Sequence, residues 1–233
     1  MQTTQSVMSY RNSPFSSLTQ LVLLALLLCG PLVALRAQAP APPLPVELLF
    51  GNKELYFQVV VKKDFSPESR FDFFSVATYS SDYGREETSD YRITIPVQFG
   101  YDLGKGFGVM AGTDINSAVG FSPIVGPRHN FASRKFLAVT VASFFLNADH
   151  DVKLFGLYEY KPPINARWSV YTRLQFIYNH NLRAGVHNRS YLYLRAGLRR
   201  DAFVFGLGAN LDQFGPRKNY ADNYGIFARW EFR

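Results

Sequence analysis

Cysteine is all but missing. Cys29 is the only one in 233 residues, and it sits inside an apolar leader. With that leader removed, no disulfide and no thiolate metal site can form. Long apolar runs are missing as well. None after residue 40 is long enough for a membrane-spanning helix, which needs roughly 20 residues, and this argues against a helical membrane protein. Histidine is scarce: His129, His150, His180 and His187 are spread along the chain with no paired ligand spacing. No metal and no other cofactor is expected. Gly104, Lys105 and Gly106 read as a hairpin turn, because the strand-to-helix context of a phosphate loop is lacking. Bases outnumber acids, for a formal charge of +7, but they are scattered rather than clustered. No nucleic-acid partner is expected on that pattern.

What is present begins with an export signal. Arg11 precedes an apolar core at 21–28, and Gly30, Pro31 and small residues follow. Cleavage after Ala37 makes residues 1–37 the signal and leaves Gln38 first. Arg11 and Arg36 leave with it, so 23 basic and 18 acidic side chains remain, a charge of +5. Residues 38–45, QAPAPPLP, read as an extended linker. Residues 46–233 read as one all-β unit.

Its signature is alternation. In residues 167–178, Trp168, Val170, Thr172, Leu174, Phe176 and Tyr178 are nearly all apolar, while Arg167, Ser169, Tyr171, Arg173 and Gln175 are mostly polar. Successive side chains of a strand point to opposite faces, so this run has one oily and one wet face. Its length suits a tilted crossing of a bilayer, roughly 9–11 residues. Ten such spans are marked, at 54–65, 70–80, 90–103, 107–117, 134–146, 152–161, 166–180, 189–199, 203–213 and 223–232. The expected fold is an antiparallel up-and-down transmembrane β-barrel of about ten strands, with eight or twelve as alternatives. Residues 46–50 could add a strand, and 118–133 read as a long loop or a strand extension. Counting back from a periplasmic C-terminus puts the turn at 104–106 outside and 118–133 inside. The same count gives a lower girdle of Tyr160, Trp168, Trp230 and Phe232, and an upper one of Tyr101, Tyr178 and Tyr224.

The C-terminal run Tyr224, Ile226, Ala228, Trp230 and Phe232, with Arg233 after it, resembles the closing strand of Gram-negative outer-membrane β-barrel proteins. The resemblance implies that these five residues form the signal read by the barrel-assembly machinery, and that the barrel's other partner is outer-membrane lipid. Gln38 following an Ala is similar to exported proteins of the Bacteroidetes kind. In size and hairpin layout the chain is similar to small channel barrels, such as the nucleoside-specific channel family. None of this names a solute.

The wet faces carry Arg92, Lys153, Arg173, Arg195 and Arg229 together with Asp72, Asp114, Glu159, Asp212 and Glu231. An Arg or Lys facing lipid near the midplane costs roughly 2–4 kcal/mol, so these charges belong in the lumen. Arg92, Asp114, Glu159, Arg173, Arg195, Asp212, Arg229 and Glu231 are the candidate lumen-lining residues of a narrow passive channel for small polar or anionic solutes. A plugged, non-conducting barrel is the alternative, since a barrel near this size can be filled by its own side chains. Two further readings stay open. One is a lipid hydrolase, with His180 and Ser190 on the outward face of neighbouring strands and Asn179, Asn181 and Asn188 nearby. The other is a soluble barrel with the apolar face inside, holding a lipophilic ligand.

Overall fold

The computed structural model describes residues 43–84 and 91–232. The expected signal at 1–37 and residues 38–42 of the linker lie outside the described residues. Twelve strands follow one another: β1 (Leu44–Gly51), β2 (Glu54–Asp64), β3 (Phe71–Asp82), β4 (Tyr91–Gly104), β5 (Phe107–Asn116), β6 (Gly120–Ala132), β7 (Phe136–Phe145), β8 (Asp151–Tyr160), β9 (Trp168–Asn181), β10 (Val186–Arg200), β11 (Phe203–Phe214) and β12 (Asn219–Phe232). Each pairs antiparallel with its neighbours in sequence, and β1 pairs β12 to close the barrel. Closure leaves no unpaired sheet edge, as a structure spanning lipid requires.

The ten marked spans all lie on strands, but the expected count of about ten is corrected to twelve. The two strands outside that count are β1 and β6. β1 is short, yet it alternates cleanly, with Glu47 and Leu49 buried and Phe50 exposed. β6 covers most of 118–133, where Pro123, Gly126 and Pro127 read as loop residues. Proline lacks a donor and normally breaks a ladder. The two prolines are four residues apart and so direct their nitrogens to the same neighbour. That neighbour is β7, since Leu146 N–H donates to the Pro123 carbonyl at 2.9 Å. The β6–β7 ladder is accordingly interrupted between Val125 and Arg128, while β6 pairs β5 without a break from Phe107↔His129 to Asn116↔Gly120.

The extra strand reverses the sense of every strand before it. The tight turn at Gly104, Lys105 and Gly106, all with positive φ, therefore lies at the closing end, where Leu44 meets Phe232. Tyr101 moves with it. It packs on Phe71 at 4.9 Å in the closing-end girdle, not in the upper one. Trp230 joins Phe203 and Phe232 in the same belt, and Tyr79 lies against Tyr91 toward the far end.

The two faces are sorted inside out relative to a water-soluble protein. Leu174, Leu194, Phe205, Leu207 and Ile226 are exposed on the outside, while Glu47, Arg128, Glu159, Arg173, Arg195 and Arg229 are buried inside. This is the sorting that lipid outside the barrel demands. It runs against the soluble-barrel reading, which needs the apolar face inward.

Glycines set the curvature at the seam. Gly225 lies opposite Gly51 and Gly208 in the β1–β12–β11 register. A Cβ on Gly225 would sit 1.9 Å from the Phe50 carbonyl oxygen. Gly225→Val is therefore expected to keep the seam from closing and to abolish the heat-modifiable folded band on electrophoresis. Gly84→Ala, with nothing within 4 Å of the added carbon, should leave that band intact.

Candidate functional site

The interior is divided lengthwise. The wall from β3 through β5–β8 is apolar, with Phe74, Val76, Met110, Ile124, Val139, Val141, Phe145 and Leu157 packed as one cluster. The wall formed by β9, β10, β12 and β1 carries arginines, acids and tyrosines. Alternation explains why these side chains face inward, and the register explains why they meet. Arg173 on β9 lies directly opposite Arg195 on β10, and Arg195 lies opposite Gly208 on β11. With no side chain at Gly208, the Arg195 stem can lie across β11; a Cβ there would stand 3.0 Å from Arg195 Cδ.

One fully buried layer is built on Glu47. Its Oε1 accepts from Arg173 Nη2 at 2.7 Å and from Arg195 Nε at 2.8 Å. Arg195 Nη1 also donates to Asn210 Oδ1 at 2.9 Å. Both guanidinium side chains are 0% exposed. The Arg195 guanidinium lies over the rings of Tyr56 and Phe227, at 5.7 and 5.8 Å. These side chains tie β1 to β9 and β10 across the interior.

Toward the closing end, Arg229 donates to Glu159, to the Tyr171 hydroxyl at 2.6 Å and to Glu231 at 3.2 Å. Tyr171 in turn donates to Glu159 at 3.0 Å. Lys161 and Arg199 complete this group from more exposed positions, at 2.9 Å from Glu159 and 3.0 Å from Glu231. Toward the far end, Arg189 pairs with Asp212 at 2.7 Å, Arg92 with Glu54, and Lys153 with Asp114. On the apolar wall Arg128 holds Asp72 by two bonds.

All eight candidate lumen residues thus face the interior, in three separate groups. Arg173 and Arg195 share one layer; Glu159, Arg229 and Glu231 share the next; Arg92, Asp114 and Asp212 each have their own partner nearer the far end. Glu47, Glu54, Arg128 and Arg189 are missing from the candidate set. Glu47 and Arg128 lie on the two strands outside the ten-strand count. Of the residues expected to form the assembly signal, Tyr224, Ile226, Trp230 and Phe232 are exposed on the outer face of β12, and Ala228 shares that face.

Two spaces lie toward the far end of the interior. An open basin of ≈ 460 Å³ is lined by Lys53, Glu54, Asp82, Asp212 and Asp222. Below it a cavity of ≈ 60 Å³ is lined by Tyr56, Ser80, Gln98, Ser143 and Tyr193, and Arg92 borders both. A wider depression of ≈ 890 Å³ lies along β8–β12, lined by the exposed Leu174, Leu194, Leu207 and Ile226 and also by Arg173 and Arg195.

The hydrolase candidates are not brought together as expected. Ser190 Oγ meets His187 Nε2 at 3.0 Å rather than His180, because the register shifts between His187 and Arg189. The other His187 nitrogen meets the Gly215 carbonyl at 2.9 Å, so no carboxylate orients the ring. The carbonyl fixes the tautomer and ties the rim of β10 to the β11–β12 turn.

No protein-family model matches the chain, and no curated protein matches it. Solved structures of similar form include the KdgM porin (9% identity, TM-score 0.45, covering 82% of this chain and 99% of that one). The NanC porin is similar at 10% identity and TM-score 0.45, with the same coverage. The outer membrane protein OprD from Pseudomonas aeruginosa is similar at 11% identity and TM-score 0.39, covering 75% of this chain and 60% of that one.

Proposed function

We infer that this chain is a narrow passive channel of the bacterial outer membrane for small polar or anionic solutes, at rest closed by its own charged side chains. The observation that supports this best is the composition of the buried Glu47, Arg173 and Arg195 layer. A barrel that needed only to be filled could be as stable with apolar residues there, since a buried ion pair is often no more stable than a hydrophobic replacement. Arginines lining a pore favour anions. The basin and the cavity give a solute an approach from the far end. Conduction requires the Glu47, Arg173 and Arg195 side chains to swing apart, which side-chain rotation about a rigid barrel allows.

In the same reading the far end is extracellular and the closing end periplasmic. The export signal ends before Gln38 in the Bacteroidetes manner, lipid covers the outer face, and the assembly machinery reads Tyr224, Ile226, Ala228, Trp230 and Phe232. Single-channel recording in planar bilayers tests the function. Small steps are expected, with a reversal potential displaced toward the anion under a salt gradient. Arg195→Glu should shrink or invert that displacement. A folded barrel that never conducts would leave the plugged, structural alternative. Conduction with unchanged selectivity in Arg195→Glu would move the selective layer elsewhere.

A further inference from the structure

The two rims of the barrel differ in charge. At the closing end, Lys63 and Arg70 stand on either side of the β2–β3 turn, and Lys105 sits in the β4–β5 turn. Arg134 and Lys135 lie in the β6–β7 turn, Arg167 ends the β8–β9 turn, and Arg200 ends β10. All seven are exposed, and the exposed acids at this end are four, Asp64, Glu68, Asp102 and Asp201. At the far end, among the described residues, Lys53, Arg183, Arg217 and Lys218 are matched by Asp82, Asp149, Asp151 and Asp222. The surface excess of positive charge is therefore at the closing end.

The bases are also placed against the aromatic belt. Arg70 precedes the exposed Phe71, Lys135 precedes the exposed Phe136, and Lys105 stands two residues before the exposed Phe107. Arg167 precedes Trp168, and the Arg200 guanidinium lies over the Trp168 ring at 5.5 Å. Girdle rings sit at the head-group level, and long basic side chains beside them extend their charge toward the phosphates. Every hairpin turn at this end carries a base, so the charge runs round the barrel. A protein docked from one side would meet only an arc of it. A lipid leaflet surrounds all of it.

We propose that this rim binds the phosphates of anionic phospholipid head groups in the leaflet around the closing end. The inference rests on the reading of the chain as a membrane-spanning barrel, and it names the lipid class which that barrel selects. One base near an anionic surface is worth roughly fivefold in affinity. A zwitterionic head group offers the same phosphate but brings its own ammonium, so it gains less. The far rim, with its charges matched, makes no such selection.

The test uses the full mature chain refolded into vesicles of phosphatidylcholine and phosphatidylglycerol. Trp168 and Trp230 are the chain's two tryptophans, and both lie in the closing-end belt, so their fluorescence reports on this rim. Bromine on the acyl chains quenches tryptophan on contact. At low salt and equal mole fraction, brominated phosphatidylglycerol should outcompete brominated phosphatidylcholine at this rim by roughly fivefold. In 1 M salt, where the screening length is about 3 Å, the preference should fall toward one. Arg167→Gln with Arg200→Gln should remove most of it, while Arg217→Gln with Lys218→Gln, on the far rim, should leave it unchanged. Equal quenching by the two brominated lipids in the parent barrel would overturn the proposal, and so would an undiminished preference in the Arg167 and Arg200 double variant. A preference in a barrel that never conducts would keep the lipid rim and remove the channel; conduction without the preference would do the reverse.

Discussion

Leu174→Arg is expected to block membrane insertion, while Arg173→Leu, one residue away, is expected to insert and fold. Leu174 is 38% exposed on the outer face near the middle of β9, opposite Leu194. An arginine there meets hydrocarbon and costs roughly 2–4 kcal/mol near the midplane. The Arg173 side chain has no exposure to either lipid or water. Its replacement removes a charge from inside and leaves Glu47 with Arg195 alone, one carboxylate to one guanidinium. The measurement is the fraction of heat-modifiable barrel recovered after refolding into lipid vesicles. Insertion of Leu174→Arg together with failure of Arg173→Leu would mean that the inside and outside of β9 are exchanged.

That contrast could be written from the sequence alone, because it rests only on a period of two. The wet and oily faces of β4, β9, β10, β11 and β12 follow directly from alternation, and ten spans could be marked on that signal. What alternation does not carry is the number of strands between two readable ones. Pro123, Gly126 and Pro127 mimic a loop, and only the shared parity of the prolines reveals that a single ladder loses its donors. Missing β6 misplaced Tyr101 and the turn at 104–106 together, since each added strand reverses those before it. The two unmarked strands, β6 and β1, also hid two of the site's charged residues. Arg128 lay in the unplaced stretch, and Glu47 lay on a strand too short to mark with assurance. Pairing across the lumen was hidden for a different reason. Glu47 and Arg173 are 126 residues apart, and their meeting depends on barrel closure and on the stagger between strands. The Arg195 path over Gly208 depends on the same stagger. No local pattern encodes it.

Glu159→Ala is expected to be among the most damaging single changes in the lumen. Glu159 is buried and serves Arg229, Lys161 and the Tyr171 hydroxyl at once. Its loss leaves Arg229 with Glu231 alone and Tyr171 without an acceptor. Breaking one side of a buried ion pair costs about 3–5 kcal/mol, because the remaining charge stays buried and uncompensated. The expected result is a large drop in the guanidinium midpoint of the refolded barrel in detergent. The paired change Glu159→Leu with Arg229→Met removes both charges and keeps the volume, so most of the stability should return. Conductance separates two roles for the cluster. If these charges only fill space, the paired variant should be stable and as closed as the parent. If they lock a pore, Glu159→Ala should conduct more than the parent, because Arg229 is released from β8 and the tie between β8 and β12 is lost. A stable Glu159→Ala barrel with parental conductance would show that the tie carries neither load, and the lock would then rest on Glu47, Arg173 and Arg195 alone.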